Sequence, residues 1–102
     1  MFQRAEQAAQ LWPLTVNTLG LAAHRENAVF KLEAEEGTFA LRLHRRGYRD
    51  SAELEAELAF MAMLASTGIA VPAPLRSRTG KHVESSSGQH ASLLTWLSGR
   101  PL

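Results

Sequence analysis

The sequence contains no cysteine and a single aspartate, and these two scarcities exclude several kinds of site. Without cysteine the chain can form neither a disulfide framework nor a cysteine-ligated metal site, which fits a reducing cytoplasm. The one aspartate, Asp50, leaves no pair of aspartates for catalysis or metal binding. The four histidines are scattered and lack the spacing of metal ligands. We therefore predict no metal site.

Long apolar runs are absent as well. No stretch approaches the length of a transmembrane helix, and the first ten residues, MFQRAEQAAQ, mix charged with apolar side chains, unlike a signal peptide. Hydrophobic residues make up 45% of the chain and charged residues 21%, which is ordinary for a soluble globular protein. The net charge of +1 gives no reason to expect a polyanionic partner. We expect a cytoplasmic protein that contacts neither membrane nor nucleic acid.

At 102 residues the chain is long enough for one domain with a modest core, and we predict a single domain over 1–102. The fold class indicated by the apolar periodicity is α+β: a five-stranded antiparallel sheet, one crossing helix after the third strand, and a short N-terminal helix. The predicted elements are a helix over 3–11, strands over 15–22, 28–34 and 39–43, a helix from Asp50 to Gly68, a hairpin with arms 75–78 and 82–84, and a strand over 90–97.

The third strand and the helix after it are the most informative part of the chain. In the segment FALRL, alternation places Phe39, Leu41 and Leu43 on one face. Ala40 and Arg42 then lie on the other face. The start of the helix that follows is indicated by Asp50 and Glu53, which have the spacing of a capping box.

The same helix carries three glutamates, and its apolar stripe distinguishes them. At about 100° per residue, Glu57 lies roughly 50° from the centre of the stripe, while Glu53 and Glu55 lie roughly 90° or more away. A carboxylate turned toward a core requires a cation, and Arg42 lies on the strand face that the helix can cover. We therefore predict that Glu57 is the inward glutamate and forms an ion pair with Arg42.

A strand cation followed by a helix glutamate is similar to the phosphate-handling pair of protein kinases, and residues 39–42 resemble the kinase strand pattern V-A-I-K with arginine in place of lysine. With the segments below, the chain resembles the N-terminal lobe of the aminoglycoside phosphotransferase and choline kinase-like family, which includes homoserine kinases of the protein-kinase-like type. The resemblance implies ATP as cofactor. Arg42 would hold its α and β phosphates, Glu57 would hold Arg42, and the small Ala40 would admit the adenine.

Two further segments carry the resemblance. Glu26-Asn27 before Val29-Phe30 occupies the place of the phosphate-covering loop, which implies Val29 as the roof over the adenine and Asn27 beside the phosphates. Taken alone, this segment also fits an ordinary hairpin turn.

Residues 93–99 occupy the place of the hinge between the two lobes of a kinase. The resemblance implies that the Thr95 carbonyl and the Leu97 amide bind the adenine edge, with Leu94 at the back of the pocket. A buried edge strand with Trp96 in the core is the alternative reading.

Phosphoryl transfer in this fold requires an aspartate in a catalytic loop and an acidic ligand for Mg²⁺. Asp50 is explained as a helix cap, and no His-x-Asp loop is present. We therefore expect a lobe that ends just past the hinge, as in a truncated gene product or one part of a split protein. It would contain no catalytic residue, bind ATP weakly or not at all, and use Mg²⁺ only together with a missing catalytic lobe. Whether such a chain is an enzyme stays open.

The expected function is the ATP-binding lobe of a phosphotransferase acting on a small-molecule hydroxyl, inactive as this fragment. The alternative is a non-catalytic interaction or dimerisation module. Besides the nucleotide, the expected partners are the missing lobe, if the protein is split, and a second copy contacting apolar surface around Met61, Leu94, Trp96 and Leu97. The basic residues of 45–49 are interpreted as a solvated loop and not as a nucleic-acid site, and His44 is expected at the surface.

Overall fold

A computed structural model describes residues 2–24, 28–44, 50–86 and 89–96. Within these ranges the chain forms two helices and five strands, and the predicted α+β fold class is confirmed, with the long helix directly after the third strand. The elements are α1 (Phe2–Ala9), β1 (Val16–His24), β2 (Ala28–Ala34), β3 (Gly37–Leu43), α2 (Ser51–Ser66), β4 (Val83–Ser86) and β5 (Gln89–Thr95).

The five strands form one antiparallel sheet in the order β1-β2-β3-β5-β4. β3 is the middle strand, so its residues have a neighbour on both sides. Ala40 is opposite Lys31 of β2 and Leu94 of β5 in the register. Arg42 is opposite Val29 and Ser92 in the same way. The register therefore surrounds the predicted cation with residues of both adjacent strands.

One face of the sheet carries the larger core, which is closed by α1 and Trp12. The indole Nε1 of Trp12 donates a hydrogen bond to the Leu75 carbonyl at 2.9 Å, so this fully buried ring leaves no polar atom unsatisfied. Because inward residues alternate along β2, β3 and β5, each strand contributes every second side chain. The buried members of this core are Ala5, Ala8, Ala9, Trp12, Ala28, Phe30, Leu32, Phe39, Leu41, Leu43, Ala91 and Leu93.

The other face carries a smaller core under α2. Leu54 and Leu58 of the helix pack with Val83 of β4 and Leu94 of β5, and Met61 borders them. These contacts place α2 over the β5–β4 side of the sheet. β3 lies next to that side, so one flank of the helix faces the edge strand and the other faces β3.

The predicted capping box begins α2. The Asp50 carboxylate accepts the backbone N–H of Glu53 at 2.8 Å, and the Glu53 carboxylate accepts the backbone N–H of Asp50 at 3.4 Å. The helix ends with Gly68 at a φ of 90°, a conformation that favours glycine. Within the described part of the chain, no helix is long and apolar enough to cross a bilayer.

The predicted hairpin is only half correct. Its turn exists, with the Ser77 N–H donating to the Lys81 carbonyl at 2.7 Å, but the arm 75–78 is not a strand. The N–H of Leu75 bonds to Leu93 of β5, and the N–H of Arg78 bonds to the carbonyl of Leu11, near α1. Because these two N–H groups bond to different neighbours, residues 75–78 form no continuous ladder with β4. Instead, β4 pairs with β5.

Candidate functional site

The side of the sheet that faces α2 brings four of the predicted site residues together. Val29, Ala40, Arg42 and Leu94 occupy neighbouring positions of β2, β3 and β5 on the face opposite the larger core. We call this surface the α2 face. Thr95 follows Leu94 at the end of β5. Asn27 and Leu97, the remaining predicted contacts, lie outside the described residues, as does the basic segment 45–49.

Arg42 is half-buried, and two opposing effects act on the pKa of its guanidinium. Burial lowers the pKa of Arg42, while the negative charge of Glu57 acts to raise it. The carboxylate of α2 thus lies close enough to stabilise the guanidinium electrostatically. Glu57 itself is exposed. A direct ion pair between the two groups stays a prediction.

The prediction that Glu57 is the most inward of the three glutamates is wrong, because Glu55 is the one that is half-buried. The buried residues of α2 are Leu54 and Leu58, and their centre lies about 80° from both Glu55 and Glu57 at about 100° per residue. Helix periodicity therefore does not separate the two. The contacts with the sheet do separate them, since His82 and Val83 at the start of β4 cover the flank that carries Glu55.

Glu55 makes the most specific polar contact of α2 with the sheet. Its two carboxylate oxygens accept the backbone N–H groups of His82 and Val83, each at 2.9 Å. The ring Nδ1 of the buried His82 lies 3.0 Å from the same carboxylate. Burial acts to raise the pKa of Glu55, but these donors together hold it below its ordinary value. No local sequence pattern predicts this contact, because the bonded residues are 27 and 28 positions apart.

A second polar pair lies beside Arg42 in the register. The Nε2 of His44 and the Oγ of Ser92 are 2.9 Å apart, and both residues are buried. His44 was expected at the surface, which is wrong: it follows Arg42 with the alternation of β3, so its ring lies under the same helix side of the sheet. Each member of the pair satisfies the other, so this buried polar contact is not costly.

The predicted hinge is held in place by the segment that follows α2. The N–H of Thr95 donates to the Ala73 carbonyl at 2.9 Å, and the Thr95 hydroxyl accepts the N–H of Ala73 at 2.9 Å. Leu94, predicted at the back of an adenine pocket, is 1% exposed and belongs to the core under α2. The end of β5 is therefore joined to the segment after α2 through both the backbone and the side chain of Thr95.

The centre of the α2 face is closed in this structure. Ala40 has 0% exposed surface. Opposite it, the Lys31 ammonium lies 5.3 Å from the centre of the Trp96 ring, a cation–π contact at the end of β5. Any ring that contacts Ala40 must therefore displace a neighbouring side chain first. Lys31 is exposed.

No group of three or more histidine or acidic side chains suited to a metal ion occurs among residues 2–24, 28–44, 50–86 and 89–96. Asp50 is engaged as the cap of α2. The described part of the chain therefore offers a cation and apolar walls, but no acidic cluster.

Comparison with known proteins places this architecture in a family. A sequence model of the APH phosphotransferase enzyme family matches residues 18–102. The chain belongs to this family. It is 34% identical over 80 residues to a homoserine kinase of Bradyrhizobium diazoefficiens and 35% identical over 80 residues to one of Acidiphilium cryptum, covering 78% of this chain in each case. The predicted family resemblance is confirmed.

Solved structures of kinases agree with the fold. An aminopropanol kinase associated with a microcompartment superposes with a TM-score of 0.83 at 26% identity, covering 99% of this chain. An amicoumacin kinase in complex with AMP-PNP, Ca²⁺ and Ami gives a TM-score of 0.80 at 25% identity, covering 95% of this chain. This phosphotransferase-family chain spans 24% and 25% of the two homoserine kinases, and 33% and 31% of the two solved chains.

A second anchored carboxylate lies next to Glu55 in this phosphotransferase-family chain. Glu84 accepts hydrogen bonds from the hydroxyls of Ser77 and Thr79, which lower its pKa, and Lys81 acts in the same direction while burial and Glu55 oppose them. Both carboxylates line an open depression of about 490 Å³ beside the start of α2. This depression lies on the Glu55 flank of the helix, away from Arg42.

The contribution of the Arg42–Glu57 interaction to stability can be measured with a double-mutant cycle. Because Glu57 is exposed, we expect Arg42→Ala and Glu57→Ala to show a coupling between zero and about 1 kcal/mol. Urea unfolding of the two single variants and the double variant gives this value. A coupling of about 3 kcal/mol or more would contradict an exposed pair and indicate a buried one.

Acid should destabilise the protein through the anchored carboxylates. The pKa values of Glu55 and Glu84 are depressed in the folded state from 4.5, so their stabilising contribution is present above 4.5 and lost as the pH falls through the folded values. Urea unfolding across this acidic range measures the loss of unfolding free energy. In Glu84→Gln this free energy should depend less steeply on pH. The exposed Glu33→Gln on β2 is the matched control. Identical profiles for Glu84→Gln and the unmutated protein would refute the expectation.

Proposed function

We propose that this chain forms the ATP-binding N-terminal lobe of a kinase that phosphorylates a hydroxyl group of a small molecule. The observation that carries the proposal is the position of Arg42: a half-buried cation on the middle strand, within the electrostatic influence of Glu57 on the helix that crosses the sheet. The family match supplies the reaction class. A basic residue in this place serves to bind phosphate oxygens, which a guanidinium does with paired N–H donors.

The α2 face would hold the nucleotide in two parts. Arg42 would contact the α and β phosphates, and Val29, Ala40 and Leu94 would line the adenine, which requires the side chains around Ala40 to open. The Thr95 carbonyl and the Leu97 amide would bind the adenine edge. Asn27 would lie beside the phosphates. The structural similarity to an amicoumacin kinase solved with AMP-PNP supports nucleotide binding as the role of this lobe.

The described residues provide no site for magnesium. The described residues hold no acidic cluster that fits Mg²⁺, since their one aspartate caps α2. We propose that Mg²⁺ binds only together with a catalytic lobe of the kind that fills the remaining length of the relatives. This chain contributes the cation and the pocket wall, and it is inactive alone.

The acceptor is proposed only by class. The relatives are named for homoserine, aminopropanol and amicoumacin, and the first two of these are small molecules that carry an amine and a hydroxyl. Because the chain spans about a quarter of the homoserine kinases, the choice among acceptors rests on residues beyond this lobe. Use of ATP, together with the absence of cysteine, favours the cytoplasm.

Nucleotide binding by the isolated chain should be weak and local. We expect millimolar ATP to shift the backbone NMR signals of Val29, Ala40, Arg42 and Thr95, because the lobe supplies only part of the pocket and no metal ligands. Arg42→Ala should abolish most of these shifts. The control is Arg4→Ala, an exposed arginine on the opposite side of the sheet.

Two results would contradict this function. One is a set of shifts that avoids the α2 face or is unchanged in Arg42→Ala, which would indicate nonspecific association. The other is micromolar, Mg²⁺-dependent affinity measured by calorimetry, since this would require a metal site within the lobe alone.

A second candidate function, an interaction or dimerisation module, is favoured by one observation. The second half of α2 is apolar on nearly all sides, yet Phe60 and Met63 are 56% and 54% exposed. Ile69, shortly after the helix, is 51% exposed. A helix that is apolar all round is normally covered on both sides. We define Phe60, Met63 and Ile69 as the outer apolar patch and propose that a second copy covers it.

This location differs from the predicted one. Of the residues expected to form the self-associating surface, Leu94 is buried, Met61 and Trp96 are partly buried, and Leu97 lies outside the described residues. The reason is that α2 packs on this face of the sheet, so Leu94 of β5 and Met61 of α2 itself both face the smaller core. The apolar surface that stays exposed is on the opposite side of the same helix.

Self-association should therefore depend on the outer apolar patch. We expect light scattering to give a dimer whose dissociation constant rises at least tenfold in Phe60→Glu, because each charge would be buried at the contact. Leu21→Glu is the matched control, an equally exposed apolar residue on β1. A monomer at high micromolar concentration would refute the dimer, and equal effects of the two substitutions would refute its location.

A further inference from the structure

The two acidic side chains on the flanks of α2 have different partners. Glu55 and Glu57 are two residues apart, which places them about 160° apart around the helix axis at about 100° per residue. Between them lies the stripe of Leu54 and Leu58 that packs on the sheet. Glu55 therefore meets the edge strand β4, and Glu57 acts on Arg42 of β3.

The apolar stripe by itself does not fix the rotation of α2. Only Leu54 and Leu58 are fully buried on the helix, and Met61 is partly buried, so the contact is narrow. Leucine side chains in such a contact can adjust through their rotamers when the helix turns slightly. A directional contact is needed to select one rotation.

Glu55 provides that directional contact. Its two oxygens accept two consecutive backbone N–H groups, of His82 and Val83, both at 2.9 Å. Two charge-assisted bonds from a fixed strand to one carboxylate constrain its orientation as well as its distance. A rotation that moved Glu57 away from β3 would pull Glu55 off these donors.

We propose that Glu55 is a positioning residue: by anchoring α2 on the N–H groups of His82 and Val83, it sets the helix rotation that presents Glu57 to Arg42. The significance for phosphate binding rests on the proposed kinase function. The positioning itself is a property of the unliganded lobe. Glu55 does not touch the nucleotide in this scheme and acts only through Glu57.

Solvent exchange of the Arg42 Nε–H group, followed by NMR without nucleotide, tests the proposal. A carboxylate held near the guanidinium slows this exchange. We expect Glu57→Gln to accelerate it up to about fivefold, the range open to an exposed pair, and Glu55→Gln to accelerate it by a comparable factor although Glu55 faces another strand. Glu55→Gln keeps one acceptor oxygen and should stay folded where Glu55→Ala does not.

Glu84→Gln is the matched control. Glu84, on β4, is also an anchored carboxylate, but it accepts its hydrogen bonds from the hydroxyls of Ser77 and Thr79 and not from the backbone donors that hold α2. This variant should leave Arg42 exchange unchanged even if it lowers stability. The proposal is overturned if Glu55→Gln leaves the exchange at the unmutated rate, if Glu84→Gln accelerates it equally, or if Glu57→Gln has no effect.

An ATP titration of the same samples separates this inference from the proposed function. Faster Arg42 exchange in Glu55→Gln without any ATP binding to the unmutated chain would support the positioning role and refute the nucleotide site. ATP binding with Arg42 exchange unaffected by Glu55→Gln would support the site and overturn the positioning role.

Discussion

The alternation of side chains along β3 is the constraint on which the rest of the structure depends. Phe39, Leu41 and Leu43 enter the larger core under α1, and this commits Ala40 and Arg42 to the face that α2 partly covers. A shift of the strand by one residue would bury Arg42 among the aromatic and aliphatic side chains. The cost of burying that charge fixes the register, and the register in turn fixes where a phosphate could be bound.

The two faces of the sheet are stabilised in different ways. The α1 side is closed by a broad apolar cluster around Trp12. The α2 side has few apolar contacts and has two polar anchors: the Glu55 carboxylate on the N–H groups of His82 and Val83, and the buried His44–Ser92 pair. Polar anchors are directional, so they set orientation where a narrow apolar contact cannot. On the α2 face, this orientation determines where the charge of Glu57 lies relative to Arg42.

The family match and the structure bear on different questions. Residues 18–102 match the phosphotransferase family, and the fold superposes on two small-molecule kinases, so the family of the chain is clear. The α2 face of the free lobe, however, is not an open pocket, because Ala40 is fully covered while Lys31 stacks on Trp96. The side chains around Ala40 thus leave no preformed cleft at this position.

The sequence by itself determined the element order, the faces of β3 and the start and end of α2, because alternation, helical periodicity and capping are local patterns. It also carried enough of the family's residues around Arg42 to indicate the reaction class. Only the tertiary structure decided that Glu55 binds the backbone N–H groups of His82 and Val83, that His44 is buried, and that residues 75–78 form no strand. Each of these depends on a partner far along the chain, and no local pattern encodes which neighbour will cover a given flank.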